Sequence, residues 1–444
     1  MSKSVIALNR FGFGFHGEQE LPKQPTKWLL RQLQRNALKP AALEDFPSSY
    51  ELLQRRRGKG KMARKSMKKQ AKKIFQDEAL RTLQLRVETT YAFRERLVVF
   101  LANVLTVSIE RKNCMAFVGP FEREVIRQNL HRGYGSMLVA SSKHPAMLLY
   151  LDNVASVGPN SRRGRRKQKG RNENLAREIL ELHSVGMRAK YTQQDVIALA
   201  NMLTGWTIPR NQRQFSPRSR SFHFAAAAHE PGSQRLLKHS FANTGVQQGE
   251  KALRMLALQP HTAYHLAHRM ATHFVADQPP KPLVSAMAEA YLQGGDDIIA
   301  MARAMVLSPL AWSTELKKIK TPYEYMISLF RLLSPEQEMW QTKFGKKMLR
   351  ELQILGQYPK AASSPKGWSD QAEDWLGGES LLRRLRLAER VGKKFSSRVK
   401  NPVRLAEQAF GPMLSSNTRQ QLMRAPNRQL SLALLLVSPE FQRR

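Results

Sequence analysis

The chain has 444 residues, with 73 Lys and Arg against 35 Asp and Glu, which leaves a net charge of +38 at pH 7. Its one cysteine, Cys114, excludes an intramolecular disulfide framework and a cysteine-only zinc site. An apolar share of 42% is enough to bury a sizeable core, and no run approaches the roughly 18 apolar residues of a membrane span.

In chain order, the first ten residues are basic, and their apolar stretch (Val5 to Leu8) stops after four. A signal peptide needs an apolar region of roughly 7–15 residues, so the expected compartment is the cytoplasm. Residues 55–73 form a basic arm opened by Arg55, Arg56 and Arg57, with 11 basic residues in 19 and no acid. From Leu80 to Val107, apolar residues at three and four spacing predict one long helix or two, with Val98, Leu101 and Leu105 on one side. Residues 161–171 form a second basic loop carrying Arg162, Arg163, Arg165, Arg166 and Lys167. Gly164 and Gly170 punctuate it, which favours a mobile loop over a recognition helix. Arg210, Arg213, Arg218 and Arg220 continue the pattern. Such runs repel themselves and belong in solvated loops or frayed helices. Their field attracts an anionic polymer or an acidic protein partner; the plain alternative is a solvated surface without a ligand. Neither of the two dense runs contains an aromatic residue, so no platform for stacking bases is interleaved with the charge.

Beyond the second run, Thr192-Gln-Gln-Asp195 has the form of an N-terminal cap, and Gly205 closes the helix it starts. Residues 208–249 read as an irregular Gln-, Ser- and Arg-rich region with room for a short hairpin around Phe222 to Phe224. Helices are predicted at 250–258, from Pro260 through Val275, and at 283–292, 297–306, 322–333, 336–355, 379–392, 402–410 and 428–436. The fold class is mainly α, a compact multi-helix assembly over residues 1–444 with one irregular central region and basic inserted arms.

Several ordered blocks carry a resemblance. Residues 172–186 read Asn-Glu-Asn-Leu-Ala-Arg-Glu-Ile-Leu-Glu-Leu-His-Ser-Val-Gly, preceded by His144 to Asn153 and followed by Tyr191 to Val196 and Leu203-Thr-Gly-Trp206. His229-Glu-Pro-Gly232, Arg269 to Asp277, Lys318 to Pro322, Gly356-Gln357 with Lys366-Gly-Trp368, and Ser438 to Gln442 continue in order, and Leu8 to Gly14 opens the series. Together they resemble the bacterial family of domain of unknown function 1800. The resemblance implies a mainly helical fold without a settled activity. It also implies frequent export, which makes a periplasmic or secreted location the alternative to the cytoplasm, and a sulfatase-like partner protein encoded nearby. This chain departs from the family in lacking an export signal, in its basic insertions, and at Phe100 to Leu105. There the family shows a Trp and two His around an Asn; Asn103 matches, while Leu101, Ala102 and Val104 replace the other three.

The candidate chemistry centres on the 172–186 signature. On a helical wheel Glu178 and Glu181 share a face, where two carboxylates can bind a divalent metal or act as an acid/base pair. His183 points away from Glu181, on an apolar arc that also suits a core histidine. Asn172 and Arg177 join the arm residues as candidate binding groups; the alternative is that Asn172 or Asn174 caps the helix and Arg177 neutralises the carboxylates. His229 and Glu230, in the irregular region, complete a candidate catalytic set of Glu178, Glu181, His229 and Glu230. A divalent metal would draw on Glu178, His183, His229 and His273, the last of which matches the family pattern. His261, His265 and His268 form a further i, i+4, i+7 stripe. No phosphate-cradling loop, dinucleotide fingerprint, His-Glu-x-x-His or Gly-x-Ser-x-Gly motif is present. The sequence therefore supports a helical accessory or binding protein, with a metal-assisted hydrolase and a ligand-free docking protein as alternatives.

Overall fold

Most elements carry a single apolar stripe, so the chain folds as helices packed stripe to stripe. The computed structural model describes residues 2–17, 19–34, 40–55, 61–215 and 221–444; Arg56, Arg57, Arg218 and Arg220 lie outside these segments. Helices dominate the described residues, and the strands are two short pairs. Among these residues no helix is long and apolar enough to cross a membrane.

Two buried clusters form the core. One gathers the Ala92–Val104, Tyr134–Lys143, Val246–Ala257, Pro260–Phe274 and Lys281–Gln293 helices, and the other the Pro322–Leu333, Lys343–Ile354, Gly378–Phe395 and Arg428–Val437 helices. The N-terminal segment joins them: Ile6, Ala7 and Phe11 belong to the first cluster, Val5, Leu8 and Phe13 to the second.

The structure sharpens or corrects the sequence reading in several places, and the helix predicted over 336–355 is broken into Gln337–Gln341 and Lys343–Ile354. Of the two readings of 80–107, one long helix or two, the structure has two, Lys61–Glu88 and Ala92–Val104, separated where the Thr89 hydroxyl accepts from the Tyr91 amide at 3.0 Å. The first of them takes in most of the basic arm. Its C-terminal half docks Phe75, Leu83 and Val87 in the core, and good helix formers (Lys, Ala, Gln, Met) carry the winding back through exposed Lys65, Lys68, Lys69, Lys72 and Lys73.

The second basic run also forms a helical turn, Arg162–Lys167. Ser161 caps it by accepting from the Gly164 amide at 3.0 Å. Gly164 is there for close approach, since a Cβ would fall 2.1 Å from the Gly158 carbonyl oxygen. In the irregular region, His223–Phe224 pairs antiparallel with Trp206–Thr207, and the local hairpin is instead Gln234–Leu236 with His239–Phe241.

Candidate functional site

The Pro260–Phe274 helix buries Ala263, Leu266, Ala267, Met270 and Phe274, which leaves its polar stripe facing a two-lobed cleft. The outer lobe, of about 780 Å³, lies between the 181–188 and 366–374 segments. Both lips turn on a glycine with positive φ: Gly186 (+78°), pressed against the His265 ring, and Gly367 (+84°), pressed against Asn103. The inner lobe, of about 90 Å³, shares Trp368, Ser369 and Asp370 with the outer one and is lined on its far side by Ala102, Asn103, Glu122 and Lys360.

Asn103 latches the 366–371 lip. Its Nδ2 donates to the Trp368 carbonyl and its Oδ1 accepts from the Trp368 amide, both at 2.8 Å. The Trp375 indole donates to the Ser369 carbonyl at 3.0 Å and fixes the same lip from outside.

The floor between the lobes is a buried charge network. His273 donates from Nδ1 to Asp370 at 2.6 Å, and its Nε2 faces Arg96 Nη2 at 3.3 Å. Asp370 accepts and Arg96 donates, which places the ring proton on Nδ1. Burial lowers the His273 pKa, so the ring is neutral and both nitrogens are occupied. Burial alone would raise the Asp370 pKa, but His273, Arg269 and Lys318 hold it below the usual carboxylate range. Arg96 also donates to Glu324 at 2.8 Å. On the opposite wall, Glu122 pairs with Arg86 (2.7 Å), Lys360 (2.8 Å) and Arg127 (3.1 Å). These groups hold the cleft's shape through mutual pairing.

The structure distributes the residues singled out from sequence rather than gathering them. Residues 179–183 wind as a π-helix, wider than the regular helix assumed for the signature, and the Ser184 hydroxyl closes it on the Ile179 carbonyl at 2.6 Å. Burial and the nearby Glu181 raise the Glu178 pKa. Glu181 lies 3.6 Å from Arg177 and lines the outer lobe. Arg177 also donates to Gln193 at 2.9 Å, and Asn172 accepts from the Asn174 amide at 2.9 Å, one residue ahead of the helix N-cap, Glu173.

His183 is a core residue: burial takes its pKa down to about 3, and its Nε2 has no partner among the described residues. His229 packs on Phe224, with Nδ1 3.1 Å from the Thr204 carbonyl oxygen. Glu230 accepts from the Asn160 amide and side chain at 2.9 and 2.7 Å. Glu178, His183, His229 and His273 are thus not gathered at one point: the described residues contain no group of three or more His, Cys, Asp or Glu that could hold a metal ion. Arg55, Arg162, Arg165, Arg166 and Lys167 are exposed.

A model of the family described as "Protein of unknown function (DUF1800)" matches residues 6–443. The chain belongs to that family. No curated protein and no solved structure matches it. In this DUF1800 chain the Phe100 to Leu105 segment runs beside the inner lobe. Ala102 and Asn103 line the lobe, while Leu101 and Val104 are buried in the core.

Sequence reasoning passed over Arg269 and Asp370 as site residues. Arg269 was within reach, since His265, Arg269 and His273 stand at i, i+4 and i+8 and so share one helix face. Asp370 carries no such signal, because it reaches His273 across 97 residues of chain.

Proposed function

We propose that the protein is a helical binding protein that holds an anionic polymer through its basic arms. One observation carries this reading. Arg163 and Lys169 from the second basic run converge with Arg210, more than 40 residues later, on a pocket of about 120 Å³. Ser156, Thr207, Gln214 and His223 add to the polar lining, and among the described residues the pocket contains no carboxylate. Arg163, Lys169 and Arg210 form no ion pair with a described residue, whereas Arg86, Arg96 and Arg127 in the interior are all paired. Lys65, Lys68, Lys69, Lys72 and Lys73 are likewise exposed and unpaired with any described acid.

Cations left unpaired at a surface repel one another, and an incoming polyanion relieves that repulsion while releasing its counterions. With no aromatic residue in either dense run, recognition would follow charge and not base identity. The hydrolase reading finds less support, because its carboxylates and imidazoles do not gather into a metal-binding group among the described residues.

The test is the salt dependence of binding to a heparin fragment and to duplex DNA. A steep linear fall of log K with log salt is expected. For DNA, the variant Arg163→Glu/Lys169→Glu/Arg210→Glu should lower the slope by roughly two to three units, at about 0.9 per phosphate contact. A flat salt profile for both polymers would sink the proposal.

A further inference from the structure

We propose that the outer lobe of the cleft is a separate binding site for a small molecule bearing a carboxylate or phosphate on a ring-sized apolar body, with Arg269 holding its oxyanion. The lobe's 780 Å³ lies within the roughly 300–1,000 Å³ of small-ligand pockets. Arg269 lines it with a guanidinium that forms no hydrogen bond or ion pair with any described residue. Burial lowers its pKa, so the charge is partly desolvated. Asp370 acts on it only as a nearby charge, since the Asp370 carboxylate is bonded to His273 and stands beyond ion-pair distance from Arg269. An unpartnered, partly buried guanidinium is costly, and its planar fork fits a carboxylate or phosphate through two parallel bonds.

The other polar groups of the lobe are consistent with an anion. Arg188 and Lys366 are exposed at the mouth and free of carboxylate partners among the described residues. Of the acids, Glu181 is engaged by Arg177 and the Tyr191 hydroxyl, and Asp374 lies on the exposed rim. The His265 ring faces the Leu182 carbonyl at 3.2 Å, and burial takes its pKa down to about 4, so it adds a neutral edge and no competing charge. The apolar walls are Trp368, Leu182 and Val185, and the rim carries Tyr264 and Met187, the latter 73% exposed. Such side chains left open around a charged floor provide a surface for a flat apolar body.

The proposal is tested by isothermal titration of the full chain with phenyl phosphate, phenylacetate, inorganic phosphate and, as the neutral control, phenol. Saturable one-to-one binding is expected for at least one of the two aromatic anions and not for phenol; which of the two binds assigns phosphate or carboxylate. Arg269→Gln should weaken that binding at least about 10-fold, as expected for loss of a charge-assisted hydrogen bond. Trp368→Ala should weaken the aromatic anion but not inorganic phosphate. Arg163→Glu/Lys169→Glu, on the polymer surface, should leave it unchanged, which separates this site from the arms. If Arg269→Gln lowers the melting temperature, Lys366→Ala and Arg188→Ala at the exposed mouth carry the same test. Absence of saturation by either aromatic anion up to roughly 10 mM, or binding that Arg269→Gln leaves intact, overturns it.

Discussion

Lys320 shows how much the interior asks of single residues. It is 1% exposed, with Nζ 4.5 Å from the Phe441 ring centre and, among the described residues, only a long hydrogen bond to Asn9 Oδ1 at 3.5 Å. Burial is the main reason its pKa falls to about 7; Arg444, Arg96 and Arg384 push the same way and Glu324 opposes them. In the unfolded chain a lysine titrates near 10.4. Between these values the unfolded state binds a proton that the folded state does not, so stability rises with pH across that window. Below pH 7 the cost of charging Lys320 in the core is fully present. Lys320→Met should therefore stabilise the protein most at pH 6 and progressively less toward pH 10. Calorimetric melting of both proteins at pH 6, 8 and 9.5 checks this, and a pH-independent difference would show that Lys320 is not the titrating group.

At the scale of elements, helical periodicity made most of the secondary structure legible. Three- and four-residue spacing, Pro260 and the Thr192–Asp195 capping box mark elements that the structure contains. What stayed hidden depends on contacts distant in sequence. Gly164 reads locally as a loop residue, yet it permits a capped turn because the 158–159 backbone runs directly against it. The partner of His223–Phe224 lies at Trp206–Thr207, so no local pattern could reveal that pairing. Asn103 looks like part of an altered motif, while its work is to hold the Trp368 backbone 265 residues away.

The Gly164 account can be tested. In Gly164→Ala a methyl would meet the Gly158 and Pro159 carbonyl oxygens at 2.1 and 2.8 Å, and neither backbone group can move cheaply. Overpacking of this kind costs roughly 1–3 kcal/mol, measurable by urea unfolding. Because Arg163 sits on the displaced turn, heparin affinity should fall in the same variant. Unchanged stability together with unchanged affinity would mean that the turn is not built on this contact.

Across the whole molecule, the net charge of +38 is divided between two populations that composition cannot separate. Exposed cations of the arms form no ion pair with a described acid, whereas in the interior Arg86, Arg96, Arg127 and Arg444 are tied to carboxylates that link remote segments, and Arg10 and Arg331 to backbone carbonyls. Glu324 is the clearest such link. It opens the Pro322–Leu333 helix, where it also accepts from the Thr321 amide at 3.0 Å, and it receives Arg96 from the Ala92–Val104 helix at 2.8 Å. Arg444 donates to it at 3.0 and 3.1 Å while exchanging backbone hydrogen bonds with Lys318. Burial alone would raise the Glu324 pKa, but Arg444 and Arg96 hold it far below the usual range.

Removing this carboxylate leaves two guanidinium groups and Lys320 facing each other in the core. Glu324→Gln should therefore lose roughly 3–5 kcal/mol, the usual cost of breaking a buried pair from one side. Arg444→Met leaves Glu324 with Arg96 and should lose less, about 1–3 kcal/mol. Combining the two should cost less than their sum by roughly 0.5–3 kcal/mol, because the second change removes a cation that the first had left unpaired. Urea unfolding of the two single variants and the double variant supplies this cycle. Strict additivity would mean that Glu324 and Arg444 stabilise their segments separately and that their ion pair carries no coupling.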